Sequence, residues 1–420
     1  MKPEWFKTRG YKHFDAPVGD NFAEKASTSQ FVKNHSWLPL IRYIKSVKRY
    51  KPTEGRTEFK DRPIMYASHR DACILAKYSH DLTLCLDKFY ISRGLSEHVI
   101  AYRKLGRANY DFSSYAYKFA LANIPCVVLC FDITGFFDNL NHSILKERLK
   151  RILDVTELST DWHKVFRHVT VFKTIERSDI AAHPIFGPRL KLDTRAPITT
   201  IAEAKAAGIA ISVNQNVYGI PQGTPISSSL SNLYMIDIDT IMSAVCRDRS
   251  ALYQRYSDDI LLVCRLEDEA YVVGILQDTI NTHKLEIKDT KKERLEFELG
   301  SKGSFQYLGF NMSHSGAFIR PSSLARQWRK FRRSIRQTKR KGTAEILSGR
   351  STQIFTKKLR KKLSPVGIRN FSQYARRSAK AFGTKDILQQ VKRLEREADR
   401  AIRDLKDQSL ALMERRYRKD

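Results

Sequence analysis

Apolar residues along the chain follow two different spacings. From Asp71 to Phe89 they recur every three or four positions, which predicts a helix with one buried face. From Ile124 to Phe131 almost every residue is apolar, which is typical of a buried strand. This run ends at Asp132, and a carboxylate at the end of a buried strand is costly unless it is paired or bound to a metal. The pattern therefore predicts a central strand that delivers one functional acid.

A second pair of acids lies in a predicted β-hairpin. Residues 252–256 and 260–264 are rich in strand-forming residues, and they flank Ser257, Asp258 and Asp259 at or beside the tip. Adjacent carboxylates repel each other, and a divalent cation between them relieves that repulsion. A bare Asp-Asp pair alone more often marks an exposed polar turn. The metal-binding interpretation therefore depends on the rest of the chain.

Between Asp132 and the Asp258–Asp259 pair, the sequence pattern predicts a rigid loop. Residues 218–225 contain two Gly and two Pro, and the apolar positions from Leu230 to Ile241 predict a helix after it. A helix is also expected directly after the first acid, through residues 136–149. Residues 150–216 show no clear pattern, and we interpret them as an insertion.

The remaining elements are predicted around this centre. Residues 51–56 are rich in turn formers, and residues 59–66 are expected to form the second strand of a hairpin. Basic residues on that hairpin fit a triphosphate clamp or, by default, a solvated surface. Later in the chain the pattern predicts a helix, a strand, a hairpin arm and basic helices, at residues 267–283, 284–288, 305–310 and from Ser322 onward.

The charge of the chain identifies a class of partner. The net charge is +30, and residues 320–420 contain 31 Lys and Arg against 9 Asp and Glu, a net charge of +22. So basic a segment favours contact with nucleic-acid phosphates over a merely solvated helix face. An anionic membrane is the less common alternative, and the longest apolar stretch is far too short to span a bilayer. We therefore expect a nucleic-acid partner and no membrane.

The cysteines and the N-terminal residues carry weaker predictions. The six cysteines form no CxxC pair and have no histidines at zinc spacing, which predicts reduced thiols in a cytoplasmic protein. Residues 1–50 mix aromatic and basic side chains. This mixture fits either an arm packed on the body or a surface for base stacking.

The order of these elements resembles that of reverse transcriptases over about residues 50–320. Phe131–Asp132 with Phe136–Asp138 resembles motif A, and Gly219–Pro225 resembles motif B. Tyr256–Asp259 matches the YxDD form of motif C, Lys291 stands where motif D has its lysine, and Tyr307–Gly309 resembles the primer grip. The resemblance implies an α+β right-hand polymerase, with fingers, an RRM-like palm of an antiparallel sheet plus helices, and a helical basic thumb.

The resemblance also implies a two-metal site. Asp132 and Asp258 would be the stronger ligands of two Mg²⁺ ions, Asp259 would support them, and the backbone carbonyl of Ile133 would complete one metal's shell. Lys291, or its neighbour Lys292, would protonate or stabilise the pyrophosphate. The residues that would contact the incoming nucleotide are Gln222 and Gly223, the backbone amides of Gly135 and Phe136, and Arg62 as a bidentate phosphate ligand.

The same resemblance predicts the choice of sugar. The residue five positions after the first Asp lies under the ribose C2′ in this family, and here it is Phe137. Its ring would clash with a 2′-hydroxyl, so a dNTP is the implied substrate. A shift of one residue in the motif would bring Asp138 to that position and remove the basis of this prediction.

Together these features predict an RNA-directed DNA polymerase. The expected divisions are an N-terminal arm at 1–50, fingers at 51–123, a palm at 124–315 with an insertion at 150–216, and a thumb with its extension at 316–420. The motifs resemble bacterial enzymes related to group II intron and retron reverse transcriptases, and most closely the antiphage defence group, of which class 2 is the nearest. The expected partners are a dedicated structured non-coding RNA as template, its cDNA product and dNTPs. The alternative is a maturase-type RNA-binding protein that retains a reverse transcriptase palm, and the sequence leaves the oligomeric state and the priming group open.

Overall fold

The computed structural model describes residues 3–51, 55–287, 293–300 and 302–417. Helices and short strands alternate in the first half of the chain. Its helices are α1 (Asp20–Ala26), α2 (Ser29–Asn34), α3 (His69–Ser92), α4 (Asn109–Ala122), α5 (His142–Ile152), α6 (Thr160–Thr170), α7 (Arg177–Ala182), α8 (Phe186–Lys191) and α9 (Ile201–Ala206). Its strands are β1 (Leu40–Ile44), β2 (Val47–Lys51), β3 (Arg56–Lys60), β4 (Pro63–Tyr66), β5 (Cys126–Asp132), β6 (Lys173–Glu176) and β7 (Ser212–Val213).

The second half begins with mixed elements and ends in helices alone. Its strands are β8 (Leu252–Tyr256), β9 (Asp259–Cys264), β10 (Glu293–Phe297), β11 (Ser304–Tyr307), β12 (Phe310–Ser313) and β13 (Gly316–Ile319). Its helices are α10 (Ser227–Tyr234), α11 (Ile236–Asp248), α12 (Glu269–Thr282), α13 (Pro321–Leu347), α14 (Lys357–Leu363), α15 (Phe371–Phe382) and α16 (Asp386–Tyr417). The mixed α+β architecture that the sequence predicts is confirmed.

The central sheet has the strand order β10-β5-β9-β8, and all its neighbours are antiparallel. Alternate residues of β5 lie in two separate hydrophobic cores: Val127 and Leu129 face one, Val128 faces the other. Because both faces of the sheet are covered, the strand reads as one continuous apolar run. The prediction of a buried strand that ends in an acid is confirmed.

A second sheet, with the order β4-β1-β6-β7, lies toward the N-terminal side of the sequence. The expected single strand at 59–66 is two strands: β3 pairs with β2, and β4 pairs with β1. Strands β6 and β7 come from the segment interpreted as an insertion, and β6 pairs with β1 in parallel. That segment therefore completes a sheet instead of standing apart from the fold.

Two predicted helices have different bounds in the structure. After β5 the chain forms a short 3₁₀ turn at Phe136–Asp138, and the helix expected there begins only at His142, where the Asn141 side chain caps its first amides. The helix expected after the Gly/Pro loop is divided at Met235 into α10 and α11. The strand expected at 284–288 is wrong over its described part, where Ile287 makes only an isolated bridge to Ile133 and residue 288 lies outside the described residues.

The C-terminal helices pack on the opposite face of the central sheet from α3, α10 and α11. Helix α16 lies against α13, α14 and α15, and α15 also packs on α4. The basic helix predicted from Ser322 onward is confirmed as α13. All six cysteines are free thiols, as predicted. Among the described residues, no helix combines the length and the apolar character that crossing a bilayer requires.

Candidate active site

Three carboxylates meet at one edge of the central sheet. Asp132 ends β5 and stands directly opposite Asp259, the first residue of β9. The backbone carbonyl of Asp258, in the turn before it, accepts a hydrogen bond from the amide of Ile133 at 3.3 Å. Asp132 and Asp259 are therefore opposite each other in the β5–β9 pairing, and Asp258 is only one residue away. The sequence predicted this hairpin with Asp258 and Asp259 at its tip, and the structure confirms the hairpin.

The turn between β8 and β9 contains only Ser257 and Asp258. Tyr256 pairs with Asp259 across it, and Ser257 has a φ of 62°. A two-residue hairpin with a positive φ at its first turn position matches the twist of the flanking strands, but glycine is the residue usually found there. The side chain of Ser257 is held from outside, because the Tyr102 hydroxyl donates a hydrogen bond to Ser257 Oγ at 3.1 Å.

The surroundings of the turn make Asp258 harder to ionise. Burial raises the pKa of Asp258, and the neighbouring charge of Asp132 raises that pKa further. Hydrogen bonds from its own amide and from Ser257 oppose this shift, as does the positive charge of Lys60. The pKa of Asp258 is nevertheless above its ordinary value. Without an added cation, ionisation of Asp258 beside Asp132 is therefore disfavoured.

The 3₁₀ turn after β5 presents backbone amides beside the acids. Gly135 has a φ of 49°, which glycine adopts without strain, and its amide and that of Phe136 donate no hydrogen bond within the described part of the chain. The half-buried Phe137 packs against the main core, and its carbonyl accepts a hydrogen bond from the amide of Ile220 at 2.9 Å. The turn is thereby fastened to the Gly/Pro loop.

That loop is fixed on its other side to β4. The amide of Met65 donates a hydrogen bond to the carbonyl of Gln222 at 2.8 Å. Gly223 has a φ of 120°, and a Cβ atom there would lie 2.8 Å from the Met65 carbonyl oxygen. Only glycine fits such a close approach of two backbones. Gln222 and Gly223 are therefore held between the 3₁₀ turn and the strands that precede α3.

The remaining predicted residues have different outcomes. Arg62 lies between β3 and β4, where its backbone pairs with Lys45, and its side chain makes no ion pair with any described residue. Lys291 and Lys292 lie outside the described residues. Tyr307 to Gly309 forms the tight β11–β12 turn, with φ values of 46° at Leu308 and 95° at Gly309, so the hairpin predicted at 305–310 is confirmed.

The donor set at the sheet edge suits a divalent ion that substrate phosphates help to bind. Within the described ranges, no three His, Cys, Asp or Glu side chains are grouped closely enough to hold a metal alone. Mg²⁺ is usually bound by one or two carboxylates together with waters and substrate phosphates. Asp132 and Asp258 are a pair of this kind, since burial and the charge of Asp132 together raise the pKa of Asp258.

Two residues near the site were not predicted. Lys60, at the end of β3, contributes positive charge at Asp258, and Arg255, in β8, is completely buried beneath the turn. The position of Lys60 depends on how a distant hairpin folds back, so no local pattern could identify it. Arg255 could have been identified from the sequence, because a charged residue inside an otherwise strand-forming run needs a buried partner.

The family described as "Reverse transcriptase (RNA-dependent DNA polymerase)" matches residues 91–312, more than half of the chain. No curated protein matches it.

Several solved polymerase structures are similar at low identity. The apo telomerase from Candida tropicalis, truncated from its C-terminal domain, is 12% identical with a TM-score of 0.44, and the match covers 70% of this chain and 58% of that one. The telomerase from Candida albicans in complex with a TWJ fragment of telomeric RNA is 12% identical with a TM-score of 0.39, over 72% and 49% of the two chains. The RNA-dependent RNA polymerase of a human picobirnavirus is 13% identical with a TM-score of 0.38, over 65% and 42%. The chain thus spans about half the length of these structures.

Proposed function

The chain belongs to the reverse transcriptase family, and from that membership we propose that it is an RNA-directed DNA polymerase that uses the three carboxylates at the sheet edge. The observation that carries the proposal is the pairing of Asp132 with Asp259, next to the bond between Ile133 and Asp258. Nucleotide transfer by two metal ions needs carboxylates that converge on one point to hold them. The β5–β9 pairing supplies that arrangement.

Divalent ions would be held by the acids nearest the strand ends. Asp132 and Asp258 would be the principal ligands of Mg²⁺, with Asp259 and the carbonyl of Ile133 in support. Bound Mg²⁺ would lower the pKa of the attacking 3′-hydroxyl and neutralise charge on the leaving pyrophosphate. The raised pKa of Asp258 supports this assignment, because a bound cation would offset both the burial and the repulsion from Asp132 that raise it.

The incoming nucleotide would bind between the turn after β5 and the Gly/Pro loop. The amides of Gly135 and Phe136, which donate to no described residue, would donate to phosphate oxygens, and Gln222 with Gly223 would line the opposite side. Arg62 would contact the triphosphate from the fingers, and we add Lys60 because its charge already acts on Asp258. Lys291 or Lys292 would stabilise the pyrophosphate, and Phe137 would exclude a 2′-hydroxyl.

The proposed subdivision follows from these roles. Residues 51–123 would act as fingers, residues 124–315 as palm and residues 316–420 as a thumb that grips the duplex. Residues 1–50 would form an N-terminal arm, although β1 and most of β2 lie in them and pair with strands of the fingers. The strands β6 and β7 join the same sheet, so the 150–216 segment would support the fingers.

The test is DNA synthesis on a generic RNA template. The purified chain should extend oligo(dT) on poly(rA) with dTTP and Mg²⁺, and should do so far better than with UTP. A preparation that binds structured RNA tightly but incorporates no dTTP would contradict the proposal. That result would instead favour the maturase-type alternative, in which the palm only holds RNA.

We further propose a bacterial origin, a relation to group II intron and retron enzymes, and a role in antiphage defence with a dedicated structured non-coding RNA as template. The net charge of +22 over residues 320–420 supports a large folded RNA, because it exceeds what a short primer-template duplex requires. Sequencing of RNA and DNA that co-purify with the protein, with and without phage infection, would test this role. One abundant structured RNA with its complementary DNA is expected, and a broad sample of cellular transcripts without phage protection would contradict it.

A further inference from the structure

A buried ion pair lies directly beneath the turn that carries Asp258. The side chains of Arg255 and Asp239 are both 0% exposed, and two hydrogen bonds of 2.7 Å join them, from Nε to Oδ1 and from Nη2 to Oδ2. Asp239 lies in α11, and it also accepts a hydrogen bond from the Tyr253 hydroxyl at 2.7 Å. The guanidinium of Arg255 is therefore fixed in one plane and one orientation.

The remaining nitrogen of this guanidinium reaches the turn. Arg255 Nη1 donates to the backbone carbonyl of Ser257 at 3.0 Å and to Asn232 Oδ1 at 3.2 Å. Asn232 lies in α10, the helix that follows the Gly/Pro loop. One side chain thus connects the acid-bearing turn to α10 and, through Asp239, to α11. Every part of the connection is inside the fold and away from water.

The turn needs such support because of its backbone conformation. Ser257 has a φ of 62°, in the left-handed region that costs a non-glycine residue free energy and persists only where its surroundings hold it. Arg255 holds its carbonyl from inside, and the Tyr102 hydroxyl holds its Oγ from outside at 3.1 Å. Tyr102 itself has a φ of 62°. Two residues earlier, the amide of Ile100 donates a hydrogen bond to the Arg255 carbonyl.

We propose that Arg255, oriented by Asp239, and Tyr102 are positioning residues that fix the Ser257 turn so that Asp258 and Asp259 face Asp132. This inference rests on the proposed function of the three acids as metal ligands. A salt bridge that served only the stability of the fold would need both partners but no bond to the turn. The hydrogen bonds to Ser257 from two sides distinguish the positioning role.

Arg255→Lys tests the inside contact. Lysine keeps the buried positive charge beside Asp239, but a single ammonium cannot bind both carboxylate oxygens and the Ser257 carbonyl in the same planar geometry. We expect at least a tenfold lower kcat for dTTP incorporation with little change in KM. We also expect at least fivefold weaker binding of Mn²⁺ alone, measured by electron paramagnetic resonance on the full chain without nucleotide.

Arg148→Lys is the matched control. Arg148 is 2% exposed, and its Nε donates to Asp237 in α11 at 2.9 Å, so the same change disturbs a second buried arginine whose carboxylate partner lies on the same helix. Arg148 has no hydrogen bond to the turn among the described contacts. This variant should lose thermal stability but keep wild-type kcat and Mn²⁺ affinity.

Tyr102→Phe tests the outside contact with a smaller change at a partly exposed residue. Tyr102 is 47% exposed, and the change removes only its hydroxyl. We expect Mn²⁺ affinity and kcat to fall about two- to fivefold.

The outcomes separate this inference from the proposed function. If the wild-type chain incorporates no dTTP but binds Mn²⁺ more tightly than the Arg255 and Tyr102 variants, the positioning role stands while the polymerase proposal fails. Wild-type Mn²⁺ affinity in Tyr102→Phe and in folded Arg255→Lys would overturn the positioning role. If Arg255→Lys does not fold, the Tyr102 result alone decides. Equal losses in Arg148→Lys, or no Mn²⁺ binding by the wild type, would also overturn it.

Discussion

At the scale of single residues, Phe137 carries the prediction about sugar choice. Its carbonyl is bonded to Ile220 and its ring packs against the main core, so the backbone there has little freedom to move. Phe137→Ala should relax discrimination against ribonucleotides roughly 10- to 100-fold, because a steric barrier would be removed, and leave dNTP use largely intact. Single-nucleotide kinetics with dTTP and UTP measure this ratio, with Phe355→Ala, an exposed aromatic in the C-terminal region, as control.

An unchanged ratio in Phe137→Ala would show that another residue guards the sugar. Asp138 is the neighbour to examine in that case. Burial raises the pKa of its carboxyl, and the charge of Arg42 opposes that shift.

The raised pKa of Asp258 predicts a stability cost at the proposed active site. Because the folded state binds its proton more tightly than the unfolded chain, this group's contribution to stability falls as pH rises from its ordinary pKa through the raised one. Without divalent ions, Asp258→Asn should therefore raise the Tm by about 1–3 °C at neutral pH and change it little below pH 3. Added Mg²⁺ should stabilise the wild type more than the variant, since only the wild type keeps both ligands.

Thermal melts at several pH values check this prediction. A Tm of Asp258→Asn that lies below the wild type at neutral pH, without metal, would contradict it. Asp278→Asn, on the exposed face of α12, is the control that should leave the melts unchanged.

The acids of the site could be predicted from sequence, but their support could not. Asp132 follows an apolar run, and Asp258 and Asp259 lie between two strand-forming runs, so local pattern predicts their positions at the strand ends, while their proposed role depends on the order of motifs along the chain. The charge of Lys60 at Asp258, the bond of Tyr102 to Ser257 and the bond of Asp239 to Arg255 all join this hairpin to other chain segments. No spacing rule connects such residues before the fold is known.

At the scale of elements, long periodic segments were predicted well and short ones poorly. Helix α3 and strand β5 have the expected type because many residues share one pattern. Strands β6 and β7 are only four and two residues long, and β6 is placed by pairing with β1, more than a hundred residues earlier. β6 is a strand because it pairs with β1, and β7 because it pairs with β6, and local sequence encodes neither pairing.

The packing of the Gly/Pro loop on β4 gives a prediction at the same scale. In Gly223→Ala the new Cβ would meet the Met65 carbonyl oxygen at 2.8 Å and Ile64 Cγ2 at 3.0 Å, at a φ of 120°. The loop must therefore shift, and dNTP incorporation should fall at least tenfold. Gly208→Ala is the control, because Gly208 also has a positive φ, 75°, but no atom within 4 Å of the new Cβ. Equal activity of the two variants would exclude a role for this close approach.

At the scale of the whole molecule, the charge is concentrated on the C-terminal helices. Four exposed arginines on α13 make no ion pair with any described residue: Arg329, Arg332, Arg333 and Arg336. Replacing all four with Gln should weaken binding to primer-template duplexes of any sequence. It should also reduce the slope of log K against log salt by about 0.7–0.9 for each phosphate that the variant no longer neutralises.

The matched control removes four charges from α16, a helix that also carries acids: Lys392, Arg393, Arg400 and Arg403. These changes should lower the salt slope less, because nearby acids already offset part of the field. Fluorescence anisotropy over a range of salt concentrations measures both sets. An unchanged slope in the α13 variant would show that its arginines are solvated surface.

Primer extension by one double variant decides whether the acids at the β5–β9 edge catalyse DNA synthesis. The double variant Asp258→Asn, Asp259→Asn keeps the shape of the turn but removes two negative charges. On poly(rA) with oligo(dT), Mg²⁺ and dTTP, the wild type should extend the primer, and the folded double variant should incorporate less than about 1% as much, because the metals lose their ligands. Undiminished incorporation by a double variant that melts like the wild type would show that these acids do not catalyse DNA synthesis.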